Sequence, residues 1–288
     1  MKILVIGGNS TIAKAFVASS PPNIQCVILR RDSSLRDYFH LTSDTFKGFD
    51  TIINFTAAVH DSIKDPNLIH RINADLPLFL AHKAKEACIQ HFIQMSTIAV
   101  YGKTALHIDL KTAEYPDTLY AKSKYEADSA LQNIQNDTFH VTIIRPPIVY
   151  GYNTPGNMKQ LQKIIRTLPI LPLGYNKNQR SLIYIDNLVT ALWATVRSKP
   201  KGVILLRDHT MPSIQEITEL IILNMKIKRY ILPLPEFLIR WLCKFQSLPF
   251  YKLFSSLIID DSYAQEKLGD YAKIPIHLAF TKMIRGEK

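Results

Sequence analysis

The sequence predicts an α/β chain built on a doubly wound parallel sheet, with a smaller lobe made from its later segments. Three observations predict it. Apolar runs rich in β-branched residues alternate with segments of helical periodicity as far as residue 144, the pattern of strands buried on both faces and covered by crossover helices. The first run stops at Gly7-Gly8 and opens directly into a helix; strand, tight turn and helix form the opening unit of such sheets. After Tyr150-Gly151 the alternation fades, and prolines at positions 155, 169 and 172 punctuate the chain, which marks a change of architecture.

The elements follow in order. Residues 2–6 are the first strand, 7–10 the turn and 11–18 the first helix. Strands are expected at 26–29, 50–55 and 91–95, with a helix at 76–88. Residues 120–134, rich in Ala, Glu and Lys, read as a helix, and 141–144 as a strand stopped by Arg145-Pro146-Pro147. Residues 181–185 read as a strand and 186–197 as a helix. Beyond Pro200 the pattern is mixed, with helices at 213–224 and around 262–267. There is no internal repeat and no low-complexity tract. The expected division is a nucleotide-binding unit of residues 1–150 plus a returning segment at 179–206. Residues 151–178 and 207–288 form the lobe over the carboxyl edge of the sheet, where open α/β sheets bind ligands.

Bulk properties narrow the function. The chain of 288 residues is 47% hydrophobic and 20% charged, the balance of a globular protein. The formal charge of +11 fits either a solubilising surface or an attraction for phosphorylated ligands. No zinc-finger spacing or aromatic RNA-binding signature accompanies it, so no nucleic-acid partner is expected. Cys26, Cys88 and Cys243 are too few and too widely spaced for a disulfide framework or metal cage. Cys26 and Cys88 lie in apolar contexts and read as core residues. The apolar start ends at Gly7-Gly8, too early for an export signal, so a cytoplasmic location is expected. Residues 237–259 come nearest to a membrane-crossing run, but Arg240, Lys244, Pro249 and Lys252 interrupt them. That stretch reads as a face packed on the protein itself, or as a weak membrane-surface contact through Trp241, Phe245 and Phe250.

The turn of Gly7, Asn9, Ser10, Thr11 and Ile12 stands where backbone N–H groups at a helix N-terminus hold a pyrophosphate. Its small residues fall at Gly7, Ser10 and Ala13; an ordinary strand-to-helix turn is the alternative. At the end of the second strand, Arg30 and Arg31 replace the acidic residue that would bind NAD ribose hydroxyls. They point to NADP(H), with NAD(H) the alternative, unless they are two solvated surface arginines. Tyr120-Ala121-Lys122-Ser123-Lys124 places a phenol and an ammonium one helical turn apart. A phenol with a reference pKa near ~10 is a poor acid or base at neutrality, and a nearby cation would lower that value. Lys124 can also hold a nicotinamide ribose. Ser96 and Thr97 follow the strand at 91–95 and are either a hydrogen-bonding pair at its end or, for Thr97, a hydroxyl beside the phenol.

Together these residues resemble the extended short-chain dehydrogenase/reductases, the NAD-dependent epimerase/dehydratase family of nucleotide-sugar enzymes, over nearly the whole chain. The resemblance implies a Rossmann sheet and a catalytic set of Tyr120, Lys124 and Thr97. Ile53-Asn54-Phe55-Thr56-Ala57-Ala58 is similar to the family's segment beside the cofactor, and Asn73 to its structural asparagine. By the same likeness Thr56, Ala57, Ala58, Asn73, Ser96 and Pro147 contact or support the cofactor. Arg145-Pro146-Pro147-Ile148-Val149-Tyr150-Gly151 resembles the motif leading to the sugar-nucleotide site; Ile148 stands where many relatives carry Asn. The likeness implies Asn157 and Arg180 for a diphosphate, and residues 169–173, Leu173 included, beside a uracil. A bidentate guanidinium suits the first task. Gly156-Asn157-Met158 and residues 250–260 are similar to bacterial surface-polysaccharide enzymes that reduce the 4-keto group of UDP-4-keto-6-deoxy-N-acetylhexosamines. An NADPH-dependent 4-reductase with a UDP-linked sugar substrate is therefore expected, followed by a UDP-sugar 4-epimerase and then a non-catalytic NADP-binding scaffold. A homodimer is expected from the family and no metal is called for.

Overall fold

The computed structural model describes residues 1–29, 38–58, 65–154, 156–175, 177–244 and 253–287. In chain order the first half comprises β1 (Lys2–Ile6), α1 (Thr11–Ala18), β2 (Gln25–Leu29), β3 (Thr51–Asn54), α2 (Pro66–His70), a π-helical turn (Arg71–Asp75), α3 (Leu76–Glu86), β4 (His91–Met95), a 3-10 turn (Ile98–Tyr101), β5 (His107–Ile108), α4 (Leu119–Ile134) and β6 (His140–Arg145). The second half comprises β7 (Ile148–Tyr150), α5 (Asn157–Thr167), β8 (Ile170–Gly174), β9 (Leu182–Tyr184), α6 (Ile185–Ser198), β10 (Gly202–Leu205), α7 (Ile214–Met225), β11 (Tyr230–Pro233), α8 (Glu236–Cys243), β12 (Ile258–Ile259), α9 (Ser262–Leu268) and α10 (Ile276–Arg285).

Six strands make one sheet in the order β10-β6-β4-β3-β1-β2, every pairing parallel. β3 and β4 are buried at every position, so their apolar residues do not alternate with solvated ones; the buried polar residues Thr51, Asn54, His91 and Gln94 stand at or beside their ends. On one face Ile3, Val5, Ile53 and Ile93 pack with Phe16 of α1 and Leu188 and Leu192 of α6. On the other, Leu4, Ile52 and Phe92 meet Leu80 and Ala84 of α3 and Leu131 of α4. The strand order reverses between β1 and β3, and ligands of doubly wound sheets bind beyond the carboxyl ends at such a point.

The later segments build a second core around Tyr150, Ile165, Leu171, Ile217, Ile221 and Phe280. Two two-stranded parallel pairs serve it, β7 with β9 and β8 with β11; a third, β5 with β12, packs Ile108 and Ile259 with Val100, Tyr101 and Leu205 instead. β10, in the stretch past Pro200 where the pattern was mixed, joins the main sheet beside β6. Only four residues long and opened by Gly202 at φ +86°, it carries too short an apolar run to stand out. Cys88 is not a core residue. It ends α3 at φ +59° and is exposed, because a left-handed residue after a helix turns the chain outward. Cys26 is half-buried on the edge strand β2.

Candidate active site at the carboxyl edge of the sheet

β1 delivers Gly7 to the switch point at φ +78°. A β-carbon there would lie 2.7 Å from the Thr56 N and 2.8 Å from the Phe55 carbonyl carbon, so only glycine lets the first turn touch the end of β3. Ser10, the second of the turn's small residues, is the helix cap. It is extended, and its hydroxyl accepts from the Ala13 N–H at 3.1 Å, satisfying one of the free donors of the first turn. Ala13 is fully buried against the sheet. Asn9 is exposed, and the Thr11 hydroxyl reaches the Asn153 carbonyl at 3.5 Å. Arg30 and Arg31 lie outside the described residues.

The segment after β3 is held by two asparagines. Asn54 Oδ1 accepts from the Thr56 N–H (3.0 Å) and hydroxyl (2.7 Å), while its Nδ2 donates to Gln94. Asn73, in the π-helical turn, accepts from the Ala58 N–H at 2.8 Å and donates to the Ala58 carbonyl at 2.9 Å and to Ser123 at 3.1 Å. Asn73 thus clamps the loop and ties it to α4. Ala57 is exposed and Ala58 buried.

Thr118 caps α4 by accepting from the Ala121 N–H, which places Tyr120 in the first turn and Lys124 one turn below. Lys124 is 1% exposed and donates to the carbonyls of Thr56 and Met95, each at 3.1 Å, bridging the carboxyl ends of β3 and β4. Among the described residues no group hydrogen-bonds the Tyr120 hydroxyl. The expected lowering of the phenol by Lys124 does not hold in this chain. Burial, helped by the Asp128 carboxylate, pushes Tyr120 up to about 12. Burial pulls Lys124 down to about 8 against the opposing pull of Asp128. Desolvation outweighs a cation whose hydrogen bonds are spent on backbone carbonyls.

The Lys124 shift has a measurable consequence. In an unfolded chain the lysine has its ordinary value of 10.5. Between about pH 8 and that value the unfolded chain binds the extra proton, so stability attributable to this group rises with pH through that window. Below it the lysine is charged in both states and the burial cost is undiminished. Urea unfolding at pH 7 and pH 10 should show Lys124→Met more stable than the parent at the lower pH, with the difference shrinking at the higher one. A pH-independent difference would contradict the assignment.

Thr97 caps the 3-10 turn, its hydroxyl accepting from the Ala99 N–H at 3.1 Å, and α4 packs on that turn. Ser96 is turned away from the cleft: its hydroxyl donates to Asp128 at 2.7 Å. The same carboxylate accepts from Arg145 Nε at 2.9 Å, and Arg145 Nη1 donates to Tyr101 (2.8 Å) and Glu114 (2.9 Å). Asp128 is fully buried and its second oxygen has no hydrogen-bond partner. The sequence reading missed this network. Asp128 follows Tyr120 and Lys124 at the next turn of the same helix face, and Arg145 is a charge closing an apolar strand; both were visible signals. Pro147 is buried behind the 3-10 turn, where the Pro146 carbonyl accepts from the Ile98 N–H.

The lobe supplies the remaining positions. Asn157 opens α5 and is exposed. Leu173 is buried in the second core and its carbonyl accepts from the Tyr175 N–H. Arg180 is half-buried; Nη1 donates to the Ser255 carbonyl at 2.9 Å, and burial depresses its pKa. Among the described residues no carboxylate pairs with it, and none of their His, Cys, Asp and Glu side chains cluster as a metal site would.

This arrangement has known counterparts. Residues 3–205 match the NAD dependent epimerase/dehydratase family. The UDP-glucose 4-epimerase of Vibrio cholerae is 31% identical over 242 residues, 77% of this chain and 72% of that protein. The N-acetyl-alpha-D-glucosaminyl-diphospho-ditrans,octacis-undecaprenol 4-epimerase of Escherichia coli O157:H7 is 28% identical over 145 residues. That match takes in 49% of this chain and spans less than half, 44%, of the relative. Among solved structures, UDP-glucuronic acid 4-epimerase from Bacillus cereus in complex with NAD superposes with TM-score 0.79 at 18% identity, covering 99% of this chain and 96% of that one. RMD from Pseudomonas aeruginosa complexed with NADPH superposes with TM-score 0.75 at 17% identity, covering 99% and 98%. Those two likenesses concern the fold; the sequence match across β1 to β10 carries the assignment, and the chain belongs to the NAD dependent epimerase/dehydratase family.

Proposed function

We propose that this chain is an NADPH-dependent 4-reductase acting on a UDP-4-keto-6-deoxy-N-acetylhexosamine in surface-polysaccharide sugar synthesis. The carrying observation is Tyr120 and Lys124 one turn apart on α4, with Lys124 bridging the carboxyl ends of β3 and β4. The close Gly7 turn and the capped α1 fit a dinucleotide: Gly7, Asn9, Ser10, Thr11 and Ile12 would hold its pyrophosphate, and Thr56, Ala57 and Ala58 would border it. Ser96, Asn73 and Pro147 act from behind, fixing that border and α4. Lys124 would hold the nicotinamide ribose. When bound, the dinucleotide supplies the hydride for a sugar carbon.

Tyr120, held in its protonated form by burial, is the proton donor to O4. Thr97 donates a hydrogen bond to the same oxygen. Arg180, a half-buried cation without a carboxylate partner among the described residues, pairs with the diphosphate, and Asn157 lies on the same side of the lobe. In this reading residues 1–150 and 179–206 form the cofactor unit, and 151–178 and 207–288 form the sugar lobe.

A UDP-sugar 4-epimerase is the second reading, favoured by the activities named for the Vibrio cholerae and Escherichia coli relatives. Both relatives' names describe substrates that carry their sugar on a diphosphate, a group that the proposed role of Arg180 would suit. Two measurements separate the readings. A reductase consumes NADPH with a UDP-4-keto sugar and is purified without retained nucleotide. Tightly retained NAD, with no net NADPH use, would instead establish the epimerase.

A further inference from the structure

The outer face of the β8–β11 pair is apolar along its length. Register sets Tyr230 opposite Ile170 and Ile231 opposite Leu171. Leu171 is buried and Ile231 half-buried, so strand alternation turns Ile170, Pro172, Tyr230 and Leu232 to the other side, where all four are exposed. Tyr230 keeps 77% of its surface and Leu232 51%. Two residues further on, α8 begins, and it presents Phe237 at 75% and Trp241 at 55% exposure. Four residues apart, these two rings share one side of the helix. Exposed apolar side chains gathered on elements that follow one another in this way mark a docking face.

The charge around it is one-sided. Residues 159–177 and 225–244 hold nine lysines and arginines and one acidic residue, Glu236, and Lys177 lies 2.6 Å from that carboxylate. Lys163, Arg166, Lys226 and Lys228 are exposed. An apolar centre with Tyr and Trp inside a cationic rim matches a bilayer surface: the rings take the headgroup level and the cations meet anionic lipid. A second copy fits poorly. In a twofold interface each patch meets itself, which would press two cationic rims together.

We infer that this face docks on an anionic bilayer surface. No described helix is long and apolar enough to cross a membrane; the inferred contact is a surface one, through this patch. The inference stands apart from the proposed reaction and holds or fails without it.

Co-sedimentation of the full chain with vesicles tests it. Binding to vesicles containing phosphatidylglycerol should exceed binding to phosphatidylcholine alone by at least about tenfold and weaken with salt. At about fivefold per surface charge, Lys163→Glu with Lys228→Glu should lower the partition by more than an order of magnitude. Tyr230→Ser with Phe237→Ser should do the same at unchanged melting temperature, since both side chains are solvated. Absence of sedimentation with anionic vesicles would overturn the inference, as would binding indifferent to both variant pairs. A dimer without lipid binding, dissolved by Tyr230→Ser with Phe237→Ser, would overturn it in favour of a second copy.

Discussion

Tyr120→Phe should reduce turnover by roughly 10²–10⁴-fold, the contribution expected of a positioned proton donor, with little change in stability. The hydroxyl makes no hydrogen bond to the described residues, so its removal strands no buried partner. Lys124 keeps its bonds to the Thr56 and Met95 carbonyls, so affinity for the dinucleotide should survive. The variant should therefore lose kcat while nucleotide binding and the urea midpoint stay within a small margin of the parent. Retained turnover would remove Tyr120 from the chemistry. Equal losses of turnover and stability would make the residue structural.

The largest stability effect is expected at Arg145. Its guanidinium is 1% exposed and bonds Asp128, Tyr101 and Glu114. Arg145→Met leaves Asp128 fully buried with only Ser96 donating to it. Breaking one side of a buried ion pair costs about 3–5 kcal/mol, which for a chain of this size lowers Tm on the order of 10 °C. Burial already raises the Asp128 carboxyl above its ordinary value despite Arg145; without the cation it rises further. In the variant the deficit should shrink as the pH falls, because protonating Asp128 removes the stranded charge. Replacing both partners, Arg145→Met with Asp128→Leu, should recover part of the loss, since an apolar pair of similar volume is often neutral. Calorimetry of both variants at pH 5 and pH 8 would check this. A loss under ~1 kcal/mol at pH 8 would show that the network contributes little.

The network also explains why Ser96, expected beside the cofactor, serves the interior instead. Asp128 draws its hydroxyl inward and leaves Thr97, one residue later, on the cleft side as cap of the 3-10 turn. The carboxylate fixes the end of β4, α4 and β6 to one another, so it positions Tyr120 and Lys124 without reaching a substrate.

Much of this was legible in the sequence because burial on both faces concentrates apolar residues in the strands. The bounds of β4 and α1 match the sequence reading, and those of β1 do too. The sixth strand was not legible: β10 presents four residues between a glycine and a polar loop. β9 falls within the strand read at residues 181–185, but its partner β7 and the β8–β11 pair were hidden, since strands of three to five residues carry little periodicity. At the site, residue types and spacing revealed the phenol, the lysine and the glycine turn. They did not reveal electrostatics. Whether Lys124 depresses the phenol depends on where its ammonium points, and two backbone carbonyls settle that. Leu173 shows the same limit: a strand position named from likeness has its side chain in the core.

The most direct test of the central claim follows a single hydrogen. With NADPH carrying deuterium on its transferable position and a UDP-4-keto-6-deoxy-N-acetylhexosamine, the parent chain should deliver deuterium to C4 of the sugar, and Tyr120→Phe should do so at least ~100-fold more slowly. Deuterium found at another carbon, or no transfer from either NADPH or NADH, would contradict it.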